Sequence, residues 1–473
     1  MRTRAFPAEA GSDDADEKKT SEAITEELRK EVERIVGECL TEKQKRLPDL
    51  EATEWYIRSS MHEVGRRLLE RVLNAQGAGY RGSSIRCQQG HRSRFVEYRE
   101  KEVLTVLGLV RIERSYYYDR RCEQGECPRD AELDIEGTQF SPGMRRMMAR
   151  VGALRPYAQG RDDIRELAGL HVNAKDIERI SYDLGPEVDA FSRKKEEVER
   201  KATSGGANVI AFEPPAKILY ICMDGTGVPL VPKELIGRKG KAEDGRARTR
   251  EAKLGCIFTQ TTVDEEGFPV RDEASTSYVG AIECADEFAR RLVAEAERRG
   301  VNRAQEVCMI GDGAEWIWNI AHDHFPGARQ IVDLYHAREY YWELARAFYP
   351  AQEKRLHEWT EARREELDHG DVASVIRAIR RLRPRSTELR KLCETAVGYY
   401  ANNEHRMHYE EFRRKGLFVG SGVLEAGCRT VIGQRLKLSG MHWTVQGSNN
   451  IIALRCCILS GRWEDFWAHR ASA

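Results

Sequence analysis

The chain has 473 residues, more than one compact core accommodates, so two or three domains are expected. Its 77 Lys+Arg balance 77 Asp+Glu, which excludes a globally basic protein and leaves any polyanion contact to local basic patches. No apolar run is long enough to span a bilayer, the polar N-terminus excludes a secretory signal, and the 12 scattered cysteines exclude a disulfide framework, so a cytoplasmic location away from membranes is expected.

Residues 1–20 are polar and read as a disordered tail. Residues 21–75 carry two apolar stripes at helical spacing. Leu28, Val32, Ile35, Val36 and Leu40 form the first, and Trp55, Met61, Val64, Leu68, Leu69 and Val72 the second, which predicts two or three packed helices. The character changes over 76–135. Gly77, Gly79 and Gly82 break the helix, and Arg94–Tyr98, Val103–Leu107 and Val110–Arg114 alternate as strands, with Gly108–Leu109 as the hairpin turn. Cys87, His91, Cys122 and Cys127 flank these hairpins and form a candidate zinc ribbon. Region 136–200 predicts three short helices, one opened by Ser141 and Pro142, a second over Asp162–Leu170 and a third over Asn173–Leu184, with Gly169 at the turn. The pair around Gly169 fits either a helix-turn-helix DNA reader or an ordinary three-helix bundle. Residues 201–215, with Ser204-Gly205-Gly206 and Pro214-Pro215, read as a linker.

A different domain begins near Ala216. Lys217–Met223 is almost wholly apolar, as a strand buried on both faces requires. Strands over Leu254–Val263 and Pro269–Tyr278, a charged helix over Ala285–Arg299, and buried strands over Glu306–Ile310 and Arg329–Val332 complete a mixed α/β sheet. Gly237 to Lys253 is a glycine- and basic-rich loop, suited either to track phosphates or simply to stay solvated. Residues 334–415 are helical and strongly charged and read as an insertion into the sheet domain, and Gly422–Trp467 is helical again.

Two acids occupy equivalent places. Asp224 ends the first buried strand in Cys222–Gly227, and Asp312 ends the Glu306–Ile310 strand in Ile310–Ala314. Sites form at strand ends in open α/β sheets. Carboxylates held close stay ionised only around a cation, and hard oxygen donors select Mg²⁺ or Mn²⁺. Asp-Gly is also a common turn pair. A haloacid-dehalogenase-type phosphatase needs another Asp where this chain has Cys222, and a later one where it reads Glu315-Trp316-Ile317-Trp318. A sugar-kinase reading of Asp224–Gly227 lacks a second phosphate loop and an adenosine motif.

The run Val419–Trp443 (VGSGVLEAGCRTVIGQRLKLSGMHW) resembles the C-terminal signature of bacterial insertion-sequence transposases of the ISKra type. Asp224–Pro229 (DGTGVP) and Gly311–Trp318 (GDGAEWIW) resemble that family's upstream acidic motifs, and Asp333–Ala337 resembles its Asp-x-x-His step. The resemblance covers the chain from about residue 80 to its end. It implies an RNase H-like catalytic core over 216–333 and 416–473, interrupted by the all-α insertion 334–415, with a DDE triad of Asp224, Asp312 and Glu425. It further implies metal-dependent cleavage at transposon ends, strand transfer into target DNA, and a homo-oligomer assembled on that DNA. The expected fold class is therefore multi-domain, the α/β core following N-terminal helices, a small β region and a helix-turn-helix-like region.

The third acid has physical support. Leu424, Cys428, Val431, Ile432 and Leu436 make a buried helical stripe, while Glu425, Arg429, Gly433 and Lys437 share another face. An exposed Glu425–Arg429 pair would give the same spacing. Asp333, Glu339 and Glu343 are rival third acids, Asp333 doubling as a helix cap. Arg429, Gln434, Arg435, Lys437 and Trp443 are the DNA-contact candidates, Trp443 either stacking on an unpaired base or lying in the core. His336 either assists a proton or a phosphate or merely starts a helix. The family's paired Cys-x-x-Cys knuckles are not kept, because Ser84 and Asp119 stand where partners of Cys87 and Cys122 would be. A non-catalytic DNA-binding relic, an RNase H-like nuclease without strand transfer, and a metal-dependent phosphatase remain as other readings.

Overall fold

The computed structural model describes residues 22–26, 29–37, 49–87, 89–193, 216–240 and 247–471. The expected tail 1–20 and linker 201–215 lie outside the described residues. The chain divides into two compact units, Met1–Val151 with Tyr157–Ile180, and Gly152–Pro156 with Ser181–Ala473.

In the first unit, the helix Leu50–Ala75 starts at Asp49, whose carboxylate accepts the Ala52 N–H at 3.0 Å. It packs against an antiparallel sheet of four strands in sequential order, β1 (Ser84–Arg86), β2 (Arg92–Thr105), β3 (Gly108–Asp119) and β4 (Gln124–Glu126). Leu69 and Leu73 of the helix close on Val103, Val110, Ile112 and Ile135. The expected separate strands Arg94–Tyr98 and Val103–Leu107 are one strand. Lys101, in the charged run between them, lays its Nζ on Asp130 Oδ2 (3.2 Å) and the Ile135 carbonyl (2.6 Å), so the run has partners and the ladder continues through it. The turn falls at Val106–Leu107, two residues before the expected place, with Gly108 taking the positive φ of +119°. Helix Tyr157–Asp163 runs into a π-helical turn over Ile164–Ala168 and ends on Gly169 at φ +67°, as the sequence required, before helix Ala174–Arg193 begins.

The second unit is built on a five-stranded mixed sheet. Its strands are β5 (Ile218–Pro229), β6 (Thr249–Gln260), β9 (Ser277–Ala281), β10 (Glu306–Gly311) and β11 (Arg329–Val332), with the short pair β7 (Thr262–Val263) and β8 (Pro269–Val270) beside it. The spatial order is β11-β10-β5-β6-β9; β5, β6 and β9 pair antiparallel, while β10 and β11 run parallel to β5. The expected strand Pro269–Tyr278 is two pieces because Asp272 turns the chain between them, accepting from the Thr259 hydroxyl (2.6 Å) and the Thr261 N–H (2.9 Å). Helix Ala285–Arg298 links β9 to β10 and sets Leu292 and Phe288 over Gly255. Helix Val445–Leu459 brings Ile452 to Gly280, which pairs with the residue before Gly255 and so faces the other way. The sheet is thereby covered on both faces, which is why Ile218–Met223 is apolar at every position.

The expected helical block is present as Leu334–Phe348, Glu353–Asp368, Val372–Arg380, Thr387–Asn403 and Tyr409–Arg414. No described helix is long and apolar enough to cross a membrane.

Candidate active site and metal-ligand cluster

Strand register creates the acidic site. Met223 of β5 lies beside Gly311 of β10, and Gly311 beside Val332 of β11. The next residue of each chain segment is an aspartate, so Asp224, Asp312 and Asp333 form a row. Asp224 does not end its strand, contrary to the sequence reading. Pairing with β10 stops at Met223, but β5 continues to Pro229 as a two-stranded ribbon with β6.

Each aspartate is oriented differently. Asp224 Oδ1 accepts the Gly225 N–H (2.6 Å), and Oδ2 accepts the Cys428 thiol (3.2 Å). Asp312 Oδ1 accepts the Ala314 N–H (2.9 Å). Burial, and after it the charge of Asp224, pushes the Asp312 carboxyl above its ordinary value, against the opposing pull of the Ala314 N–H and His336. Asp333 is fully buried; Oδ1 accepts the N–H groups of Tyr335 (2.6 Å) and His336 (3.1 Å), and Oδ2 that of Ser421. It therefore caps helix Leu334–Phe348, the role the sequence offered as its alternative. Burial pulls the His336 imidazole down, but Asp333, Glu339, Asp312 and Asp224 together raise it above its ordinary value.

Glu425 is exposed on helix Gly422–Gly427, which packs on β5 and β6. One turn on, Cys428 bonds Asp224, so the Glu425 helix is moored at the first acid. The segment is not the continuous α-helix expected. It widens into a π-helix over Cys428–Gly433 before a short α-turn, Gln434–Leu436. The buried Arg455 caps the widened turn, donating to the carbonyls of Val431 (2.7 Å), Thr430 and Ala153 (2.7 Å). Burial and neighbouring Arg435 lower its guanidinium to about 10.

The DNA-contact candidates divide. Arg429, Gln434 and Lys437 are exposed, and Lys437 Nζ donates to the Thr226 hydroxyl on the β5 ribbon. Arg435, expected at the DNA, is instead a core residue at 0% exposure, and Trp443, at 7%, takes the core alternative over base stacking. Arg435 Nε donates to the Gly152 carbonyl (3.0 Å), and its guanidinium lies 4.9 Å from the Trp443 ring centroid. Trp443 Nε1 donates to the Leu436 carbonyl (3.1 Å). The last five residues of the expected basic loop, Thr249–Lys253, belong instead to β6, and Lys253 is buried, bound to Glu251 (2.9 Å) and the Glu283 carbonyl (3.2 Å).

Sequence reasoning missed several supporting groups. Tyr399, in the helical insertion, donates to the Asp312 carbonyl (3.0 Å) and stacks on Tyr340 at 3.8 Å between ring centroids. No local pattern marks it. Cys428 was legible only as a buried apolar position.

Among the described residues, one group of three or more Cys, His, Asp or Glu side chains has its ligand atoms all within 4.8 Å of one another: Cys87, His91, Asp119 and Cys122. The acids of β5, β10 and the Glu425 helix do not form so tight a group; a site for two ions about 3.5–4 Å apart spreads its ligands more widely. Three of the four residues expected to hold zinc, Cys87, His91 and Cys122, are in this group, and the fourth is not. Cys127 lies beyond β4 at the start of helix Pro128–Glu132, and Asp119, three residues before Cys122, takes its place.

No protein-family model matches the chain, and no curated protein matches it in sequence. Among solved structures, the Drosophila P element transposase strand transfer complex is similar over 70% of this chain and 95% of that one, with a TM-score of 0.29 and 9% identity. Likeness at that level identifies neither the fold nor the activity of this chain.

Proposed function

We propose that the second unit is an RNase H-like catalytic core and that the chain is a DNA transposase of the ISKra-like kind, cleaving element ends and transferring strands with Asp224, Asp312 and Glu425. The observation that carries the reading is the register of β5 with β10, which sets Asp224 and Asp312 side by side, together with the Cys428–Asp224 bond that moors the Glu425 helix there. The sheet order, an antiparallel three-stranded meander extended by two parallel strands, supports the same core.

The all-oxygen donor set, with one carboxyl whose ionisation is opposed by burial and a like charge, fits hard divalent cations. Mg²⁺ or Mn²⁺ bound by these three acids would supply charge neutralisation and acidify a water. The chain's own groups do the positioning. Gly225 N–H and Cys428 hold Asp224, while Ala314 N–H and the Tyr399 contact at its carbonyl hold Asp312. His336, raised by its acidic surroundings, offers a proton or a phosphate contact beside Asp312. Arg429, Gln434 and Lys437 are the exposed candidates for the DNA backbone. Arg250, whose guanidinium is lowered by burial and by nearby Arg238, adds a like-charged pair that a phosphate would relieve. The helices on either side of Gly169 supply a helix-turn-helix-like DNA reader in this scheme.

The deciding experiment is Mg²⁺-dependent cleavage of a labelled duplex carrying the flanking element end, with wild type and Glu425→Gln compared. Cleavage lost in the variant with DNA binding retained is the expected result. Equal cleavage by both removes Glu425 and turns attention to Glu339 or Glu343. Binding without cleavage by either identifies a DNA-binding relic, and cleavage without strand transfer identifies a nuclease.

A further inference from the structure

The sulfur, nitrogen and carboxylate cluster of the first unit takes no part in that chemistry. Cys87 follows β1 and His91 precedes β2, while Asp119 ends β3 and Cys122 lies in the turn to β4. Pairing of β2 with β3, Arg94 opposite Tyr118, brings the two hairpin ends together. Zinc with Zn–S bonds of about 2.3 Å and Zn–N or Zn–O bonds of about 2.0–2.1 Å separates tetrahedral ligands by about 3.8 Å (S to S), 3.5 Å (S to N or O) and 3.3 Å (N to O). The Cys87 and Cys122 sulfurs are 3.8 Å apart. Asp119 Oδ2 lies 3.6 Å from the first, 3.4 Å from the second and 3.7 Å from His91 Nδ1. His91 Nδ1 to Cys122 Sγ, at 2.9 Å, is well inside the tetrahedral spacing, and the other four distances fall within about 0.4 Å of it.

The supporting shell is in place. Asp119 is 3% exposed, and its Oδ1 is occupied by the Arg121 N–H at 2.8 Å, which turns Oδ2 into the cluster. Cys87 N–H donates to the His91 carbonyl (2.9 Å) and Gly90 N–H to the Cys87 carbonyl (2.9 Å), with Gly90 at φ +81°, so Cys87 and His91 share one tight loop.

We propose that Cys87, His91, Asp119 and Cys122 bind one zinc ion as a closed Cys₂-His-Asp structural centre. Four protein ligands leave no open position, so the site is structural and not catalytic. Its work follows from the sheet. β1 and β4 are three residues each, too short to hold the edges by pairing alone, and the ion would tie both outer hairpins together. Asp119 thus does the job of a cysteine in an Asp-x-x-Cys knuckle.

The test uses the full chain and does not depend on DNA cleavage. Metal content is measured by mass spectrometry, and the zinc is then exchanged for Co²⁺ to read the thiolate-to-cobalt charge-transfer band. One zinc per chain is expected, retained by Cys127→Ser and lost from Cys122→Ser on mild chelation. Asp119→Cys keeps the metal and raises the cobalt band in the ratio of three thiolates to two. A chain that carries no zinc and takes up no cobalt overturns the proposal, as does a Cys127→Ser variant that loses metal as Cys122→Ser does. An Asp119→Cys band no stronger than wild type removes Asp119 from the ligand set.

Discussion

At Gly313 the backbone has φ +100°, and a Cβ there would come within 2.6 Å of the Tyr399 ring. Two constraints act on one residue, so Gly313→Ala should cost on the order of 2 kcal/mol in denaturant unfolding and displace the Asp312 loop. Asp312 itself trades stability for charge. Burial and Asp224 raise its carboxyl, so this site's stability is full below the ordinary carboxylate pKa and is lost as pH rises through the raised value. Asp312→Asn should therefore melt at a higher temperature than wild type at neutral pH without divalent ions, and should lose the rise in melting temperature that Mg²⁺ gives the wild type. Thermal melts with and without Mg²⁺ test both halves. His336 is raised too, so the stability it contributes is present below the ordinary imidazole range and fades as pH climbs through its folded value.

Among the elements, the Glu425 segment shows most clearly what periodicity conveys. Leu424, Val431, Ile432 and Leu436 are buried as their spacing implied, yet the turns over Cys428–Gly433 are π-helical. A widened turn frees carbonyls, and Arg455, distant in sequence, satisfies them. Arg455→Met should destabilise the second unit by about 3 kcal/mol, since buried carbonyls lose a charged donor. Asp333 links β11 to the same segment through Ser421. Its replacement by Ala should cost about 2–4 kcal/mol, read by chemical denaturation, and, on the proposed function, should depress cleavage by loosening the Glu425 helix.

Across the whole molecule, charge is balanced at 77 Lys+Arg against 77 Asp+Glu, so on the proposed function the DNA affinity would come from a few exposed cations. Replacing Arg429 and Lys437 together by Gln should lower the slope of log K against log salt concentration by about 2, measured by titration on an element-end duplex. The same substitution at buried Arg435 should unfold the core locally and leave no comparable change in salt slope, because its guanidinium serves the Gly152 carbonyl and Trp443.

Read alone, the sequence marked the apolar strand cores Lys217–Met223, Glu306–Ile310 and Arg329–Val332 and the helical block, because those depend on local periodicity; it misplaced the end of the Asp224 strand and joined two strands over Pro269–Tyr278. β11 is found over the very residues its pattern marked, and helix Ala285–Arg298 ends one residue early. It also singled out Cys87, His91 and Cys122 by residue type. Folding settled what long-range partners impose. It put Arg435 and Trp443 in the core, made Asp333 a cap, brought Cys428 and Tyr399 to the acids, and exchanged Cys127 for Asp119. Spacing along a chain says which side chains share a face; which carbonyl or ring that face meets is fixed by segments tens to hundreds of residues away.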